Sequence, residues 1–396
     1  MPDKIANQLR DVFLAHSFDL EKVKNTSAKQ ISKMLDELIL EINRELEFVD
    51  PTAVKRTVYQ QERLNKLFNM ADKTIKGQYG KLEQATKSQL RSLAEIQGLF
   101  VPKAINAVMQ VNMVDYAVSP EVLNRLVDNT LVEGRAIKDW WAGQSRDLQV
   151  DFQRAMRIGI SRGETLDQLS ARVRGTQSPA RMGVRGNVPG VTQEQLRSVF
   201  GQPGLAKKAK RNAEALVRSS FSNVANDARN DVYKANSDVI AGEEFLATLD
   251  NRTTIECAAY DGGVWDLDGN PIQGTTLPYQ RPALHFNCRS IMIPAMKTLE
   301  EILGIPGIPE PPESTRSAFS RTGMSGQISD KTNFNSWLKG VGEADQDKIL
   351  GPKRADLWRR GLVTTKDLVS TKNGQVLTLK ELYAKVVEDR FYKPQK

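Results

Sequence analysis

Two cysteines and two histidines are all that the 396-residue chain contains. So few cysteines exclude a disulfide scaffold and favour folding in a reducing compartment. Long apolar runs are also missing. The most hydrophobic stretch, 98–118, is interrupted by Lys103, Asn106, Gln110, Asn112 and Asp115. Nothing approaches the roughly 18 residues of a membrane span. The opening MPDKIANQLRDVF is amphipathic with no apolar h-region, so it is not expected to be a secretory signal. A Walker-type glycine loop, GxSxG and HExxH are all absent, which removes those enzyme classes. DLDGN (266–270) starts like a calcium loop. However, Pro271 replaces the required glycine and Leu277 the bidentate acid.

What is present suffices for packed cores: 40% hydrophobic and 26% charged residues, with a net charge of +8. The length corresponds to roughly two to four domains. The charge is concentrated. Residues 171–220 hold Arg172, Arg174, Arg181, Arg185, Arg197, Lys207, Lys208, Lys210, Arg211 and Arg218 against only Glu194 and Glu214, a balance of +8. The embedded RGTQSPARMGVRGNVPG reads as a loop or linker. Nine of these cations, Arg172 to Arg211, are candidates for contact with nucleic-acid phosphates. A solvated connector explains them equally well, because no aromatic residue from 171 to 199 offers base stacking.

The expected fold class is α+β, mostly α. It comprises a long helical N-terminal region, a small mixed α/β Cys/His module and a small helical C-terminal module. The expected segments are 1–156 helical, 157–242 a helical lead-in with a basic Gly/Pro-rich linker at 171–211, 243–303 the mixed module, 304–330 a linker, and 331–396 the helical tail. Thr26-Ser27 are expected to cap a helix bearing Ile31, Met34, Leu35, Leu38, Ile42 and Leu46, which Pro51 stops. Another helical pattern runs over 58–99, with interruptions expected at Gly77 and Gly80 and a break at Pro102. Ser119-Pro120 should start a helix. Of the adjacent Trp140 and Trp141, only one can face a given core. Gly163 and Thr165 should divide 157–175 into a helical hairpin, a shape that also invites a DNA-reading helix–turn–helix. A helix is expected over 207–242, and a strand over 245–250. A hairpin should turn at Asp268-Gly269, and a returning strand should end at Pro294. His16, among apolar helix residues, reads as packing.

Both cysteines and one histidine fall in the mixed module as Cys257-x27-His285-x2-Cys288. Zinc prefers thiolate and imidazole in a tetrahedron, so this trio is a candidate Zn2+ site. Asp261 is the leading candidate for a fourth ligand, with Asp250 next. Two buried thiols beside a hydrogen-bonded histidine, or a Cys257–Cys288 disulfide, fit the same spacing. A thiolate–imidazole catalytic pair, or a nuclease cluster of Asp250, His285 and Arg289, is the enzymatic alternative.

LATLDNRTTIECAAYDGGVW followed by RPALHFNCRSIMIP resembles the signature of the phage Mu F-like / SPP1 gp7-like family of head morphogenesis (minor capsid) proteins. The resemblance rests on Thr248, Asp250, Arg252, Thr253, Cys257, Asp261, Gly262, Pro282, His285, Asn287, Cys288, Arg289 and Pro294. It extends over roughly 155–390. Many family members have His-Pro-Asn-Cys-Arg-Cys, whereas this chain has Phe286 and Ser290, which removes one potential metal ligand. The resemblance implies a non-enzymatic structural protein of a tailed-phage virion. It would be assembled in the host cytoplasm and docked to the portal protein or major capsid protein. Packaged double-stranded DNA would lie nearby, and no membrane is involved. A metal-dependent nuclease or a DNA-binding regulator is the alternative.

Overall fold

A computed structural model describes residues 3–53, 58–116, 119–175, 204–307, 320–323, 326–329 and 332–391. The fold is α+β and mostly helical. In chain order it contains α1 (Asp3–Val49), α2 (Val58–Met109), α3 (Pro120–Asn129), β1 (Leu131–Val132), β2 (Arg135–Ala136), α4 (Ile137–Ser161), α5 (Leu166–Arg174) and α6 (Leu205–Ala235). The mixed region follows: β3 (Ile240–Leu246), α7 (Ile255–Tyr260), β4 (Val264–Asp266), β5 (Pro271–Ile272), β6 (Ile291–Met296) and α8 (Leu299–Leu303). A small hairpin, β7 (Ser320–Gly323) and β8 (Gly326–Ser329), precedes α9 (Phe334–Lys339), α10 (Glu343–Leu350), α11 (Pro352–Arg359) and α12 (Leu379–Phe391). No helix among the described residues is long and apolar enough to cross a membrane.

The chain forms two compact units, each discontinuous in sequence. One comprises Met1–Val23, Arg91–Glu133 and Phe221–Lys396, and the other Lys24–Leu90 and Gly134–Ser220. Three helices, α1, α2 and α6, contribute residues to both units.

The second unit is helical. Leu35, Leu38, Ile42 and Leu46 of α1 are fully buried, as are Leu67, Ala71 and Ile75 of α2, which is the stripe expected from spacings of three and four. The long helices continue through the positions where local chemistry marks interruptions. α1 runs through Thr26-Ser27, because the side chains around those residues bury as one stripe and packing overrides a local capping preference. α2 runs through Gly77, Gly80 and Pro102. A Cβ at either glycine would meet nothing within 4 Å, so each costs only its intrinsic propensity in a helix of 52 residues. Ser119 and Thr165 cap their helices as expected, and Thr165 forms a reciprocal capping box with Gln168. Trp141 is buried edge-on to Tyr79, with ring centroids 6.0 Å apart. Its neighbour Trp140 lies under the Arg135 guanidinium. The close packing of α4 on α5 depends on Gly159, where a Cβ would fall 2.2 Å from the Leu169 side chain.

In the first unit, a four-stranded sheet of order β5-β4-β3-β6 separates two hydrophobic clusters. Strand residues alternate between its faces. Leu246, Ile291 and Ile293 join a cluster with Phe13, Val101, Ile105 and Val232 from the long helices. Phe245 and Met292 face the other cluster, with Trp265, Tyr260, Leu338, Leu350, Trp358 and Leu382. The C-terminal helices therefore complete the core of the mixed module. α6 ends at Ala235, earlier than expected, and β3 begins at Ile240. Gly242 lies inside that strand, where a Cβ would sit 2.0 Å from the Trp265 carbonyl oxygen. β6 runs through Pro294 rather than ending there. Because β6 is an edge strand, the missing N–H interrupts no central ladder. The hairpin at Asp268-Gly269 forms as expected, with the Asp266 carboxylate accepting the N–H groups of Asp268 and Asn270. His16 is a packing residue. It stacks on Phe100 with centroids 3.7 Å apart and hydrogen-bonds Gln97, and burial lowers its pKa to about 4.

Candidate metal centre

The two segments carrying the trio are anchored independently. Cys257 stands in the first turn of α7, where its N–H donates to the side chain of the N-cap Thr254. His285 and Cys288 lie in the loop entering β6 and are held by a turn in which the Cys288 N–H donates to the His285 carbonyl, 3.1 Å away. Between them Asn287 adopts φ +61°, a left-handed conformation that asparagine tolerates better than most residues. Gly262, at φ +74°, serves the same purpose after α7. Both are motif residues, and their backbone conformation accounts for their type.

The loop is fastened to α6 by residues outside the motif. The Ser222 hydroxyl donates to the Cys288 carbonyl. The Asn226 amide donates to the carbonyl of the motif residue Pro282, and its oxygen accepts from the Met292 N–H. Asn230 bonds Arg281 and Glu243. The sequence carries a signal for these anchors: Ser222, Asn226 and Asn230 recur every four residues, a polar stripe on an otherwise apolar helix face.

These anchors bring the trio together. The Cys257 Sγ lies 3.4 Å from His285 Nε2 and 3.6 Å from the Cys288 Sγ. All three candidate ligand atoms fall within 4.8 Å of one another. Neither cysteine is in a disulfide and both are buried, and the histidine is half-buried. Phe286 contributes a carbonyl 2.9 Å from His285 Nδ1. A carbonyl can only accept, so Nδ1 carries hydrogen and Nε2 faces the sulfurs, the arrangement a metal-ligating imidazole needs. Zinc–ligand bonds of about 2.3 Å to sulfur and 2.0–2.1 Å to nitrogen give tetrahedral edges of about 3.8 Å (S–S) and about 3.6 Å (S–N). The two separations from the Cys257 sulfur lie within about 0.2 Å of those edges and the third pair lies within 4.8 Å, so the residue types and their convergence fit a thiophilic divalent cation. A hydrogen bond from the Cys257 thiol and the nearby His285 hold Cys288 well below the usual thiol range. The same bond and burial push Cys257 well above it. His285 is raised, chiefly by its hydrogen bond to Cys288.

Asp261 is outside this group. Its Oδ1 accepts the Ala247 N–H at 2.8 Å and its Oδ2 the Phe334 N–H at 2.6 Å, which ties the end of α7 to β3 and to α9. Asp250 is also elsewhere. It grips Arg289 through both carboxylate oxygens and accepts from the Arg252 N–H and the Thr253 hydroxyl. Thr253 also donates to the Thr248 carbonyl. Burial raises Asp250, but Arg289 and the backbone donor outweigh it and leave the carboxyl below its ordinary range. Thr248, Asp250, Arg252, Thr253 and Arg289 therefore form a second fastening beside the trio. Of the candidate nuclease set, Asp250 and Arg289 are in direct contact with each other.

The basic candidates separate into groups. Arg172 forms a bidentate pair with Glu164, Lys208 pairs with Asp151 at 2.5 Å, and Lys210 pairs with Asp36 at 2.7 Å. Arg174, Lys207 and Arg211 are exposed. Arg181, Arg185 and Arg197 lie outside the described residues.

The sequence and geometry define a small α/β module clasped around a Cys/His trio and fastened to a long helix. Residues 150–293, from within α4 to β6, match the family described as phage Mu protein F like protein. This supports the family resemblance over that segment, 144 of the 396 residues. Comparison with curated proteins and with solved structures gives no match.

Proposed function

We propose that the protein is a non-enzymatic structural component of a tailed-phage head, assembled in the host cytoplasm and retained in the virion. It would be placed in the head interior or at the portal vertex. It would dock to the portal protein or major capsid protein through its N-terminal helical region and lie against packaged double-stranded DNA. The Cys257/His285/Cys288 group would bind Zn2+ as a clasp joining α7 to the loop before β6, a staple that suits a small module. The observation carrying this reading is the use of the motif residues. Asp250, Thr253, Asp261, Asn287 and Arg289 fasten backbone and loops, as expected of a building block. Fractionating phage particles and assaying each fraction for this chain and its zinc tests the assignment. Mature heads lacking the chain would overturn it, and plasmid cleavage lost in a His285→Ala variant would replace it with a nuclease.

The DNA contact is proposed for the exposed Arg174, Lys207 and Arg211, with Arg181, Arg185 and Arg197 of the same basic segment. Charge reversal of Arg174, Lys207 and Arg211 to Glu should weaken duplex binding. It should also flatten the log K against log salt slope by about 0.9 for each phosphate that is no longer neutralised. An unchanged salt slope would remove DNA from the proposed partners.

A further inference from the structure

Arg229 of α6 is fully buried, and its guanidinium faces the Phe13 ring of α1 at 5.7 Å from the centroid. Among the described residues its two terminal nitrogens have no hydrogen-bond partner. Its Nε–H donates to the Gln97 Oε1 of α2 at 2.9 Å. A guanidinium can only donate, so this contact fixes which way the Gln97 amide lies. The amide NH2 is thereby turned towards His16 of α1. The ring Nε2 lies 2.9 Å from the amide nitrogen and 3.3 Å from its oxygen. His16 Nε2 must therefore accept, which only the neutral ring can do.

Protonating His16 sets a second donor against the Gln97 NH2. Turning the amide over serves His16 but sets the NH2 against Arg229. In either orientation one donor faces another, and Gln97 is itself buried, which keeps solvent from replacing the lost partner. The charged groups acting on His16 are Arg229 on α6, which opposes protonation, and Asp19 on its own helix, which favours it. From α2 it meets the neutral Gln97 and Phe100. The same stretch of α1 is seated by Ile5, Leu9 and Phe13 in a cluster with Val101, Ile105 and Val232, and by the Arg10–Glu244 pair.

We propose that His16, Gln97 and Arg229 form an acid-sensitive latch: residues 3–20 of α1 stay seated on α2 and α6 while His16 is neutral, and are released when it is protonated. The released ring titrates at the ordinary 6.5, whereas burial and then Arg229 hold the seated ring at about 4. Seating is therefore at full strength above about pH 6.5 and weakens as pH falls towards about 4. Release uncovers the Arg229 cation and the apolar side chains that Ile5, Leu9 and Phe13 pack against.

Hydrogen exchange of the reduced full-length protein between pH 7 and 5, corrected for the intrinsic pH dependence of amide exchange, tests this. Protection of residues 3–20 should fall roughly twentyfold over that range, while β3 and β6 keep theirs. His16→Gln supplies an acceptor that does not titrate, so its protection should not change with pH. Gln97→Glu offers oxygens to both neighbours and should likewise abolish the acid loss. Protection that is flat with pH in the unsubstituted protein would overturn the latch. So would an equal acid loss in His16→Gln, or a loss shared by the whole chain. Should His16→Gln fail to fold, Gln97→Glu carries the comparison, and an unchanged acid loss in it overturns the proposal.

Discussion

At the scale of single residues, the mixed module is held by side chains that substitute for backbone partners. Asp261 is the clearest case: one buried carboxylate accepts two N–H groups from segments far apart in sequence. Asp261→Ala leaves both donors unpaired and should destabilise the protein by about 2–5 kcal/mol in urea unfolding. Metal stoichiometry should not change, and its loss would restore Asp261 to the ligand shell. Asp250 offers a pH test. Its carboxyl is held below the ordinary range, so its stabilising contribution is present above the unfolded pKa and is lost as pH falls through the folded value. Urea midpoints should therefore fall with acidification below about pH 4, and Asp250→Asn should make that fall shallower. An identical acid limb in the variant would show that the Arg289 pair contributes nothing to folding.

At the scale of elements, the long helices depart most from local expectation. Gly77 and Gly80 mark breaks by propensity, yet both are exposed positions in an unbroken helix with open space around the Cβ site. Each glycine weakens α2 without serving a contact. Gly77→Ala and Gly80→Ala should thus each stabilise the protein by about 0.5–1 kcal/mol, read as a higher urea midpoint at constant m-value. Destabilisation by either would mean that the helix bends or is approached closely there. Pro294 shows the same principle in a strand. Local chemistry marks it as a stop, but the edge position in the sheet makes it harmless.

At the scale of the whole molecule, the division expected from composition separates the tail from the Cys/His module, whereas the packing unites them. Tyr260, Trp265 and Cys288 share one cluster with Trp337, Leu350, Trp358 and Leu382. Gly374 approaches the Tyr260 hydroxyl so closely that a Cβ there would lie 2.1 Å away. Removing residues 332–396 should therefore expose core surface, giving a chain that binds a hydrophobic dye and aggregates. A soluble, cooperatively unfolding truncated protein would show that the module stands alone.

Much of the site is legible in sequence because its chemistry depends on rare residue types. With only two cysteines and two histidines, a short Cys/His spacing stands out, and Gly262 and Asn287 signal left-handed turns. Helix stripes and the hairpin are legible because burial imposes fixed periods. The partner of each carboxylate is not. Asp250 and Asp261 are chemically identical in sequence, and only the fold brings Arg289 to one and the N–H groups of Ala247 and Phe334 to the other. Ser222 and Asn226 acquire roles solely through proximity. Residue type limits which interactions a side chain can make, but long-range contact selects among them, and that selection is a property of the folded chain.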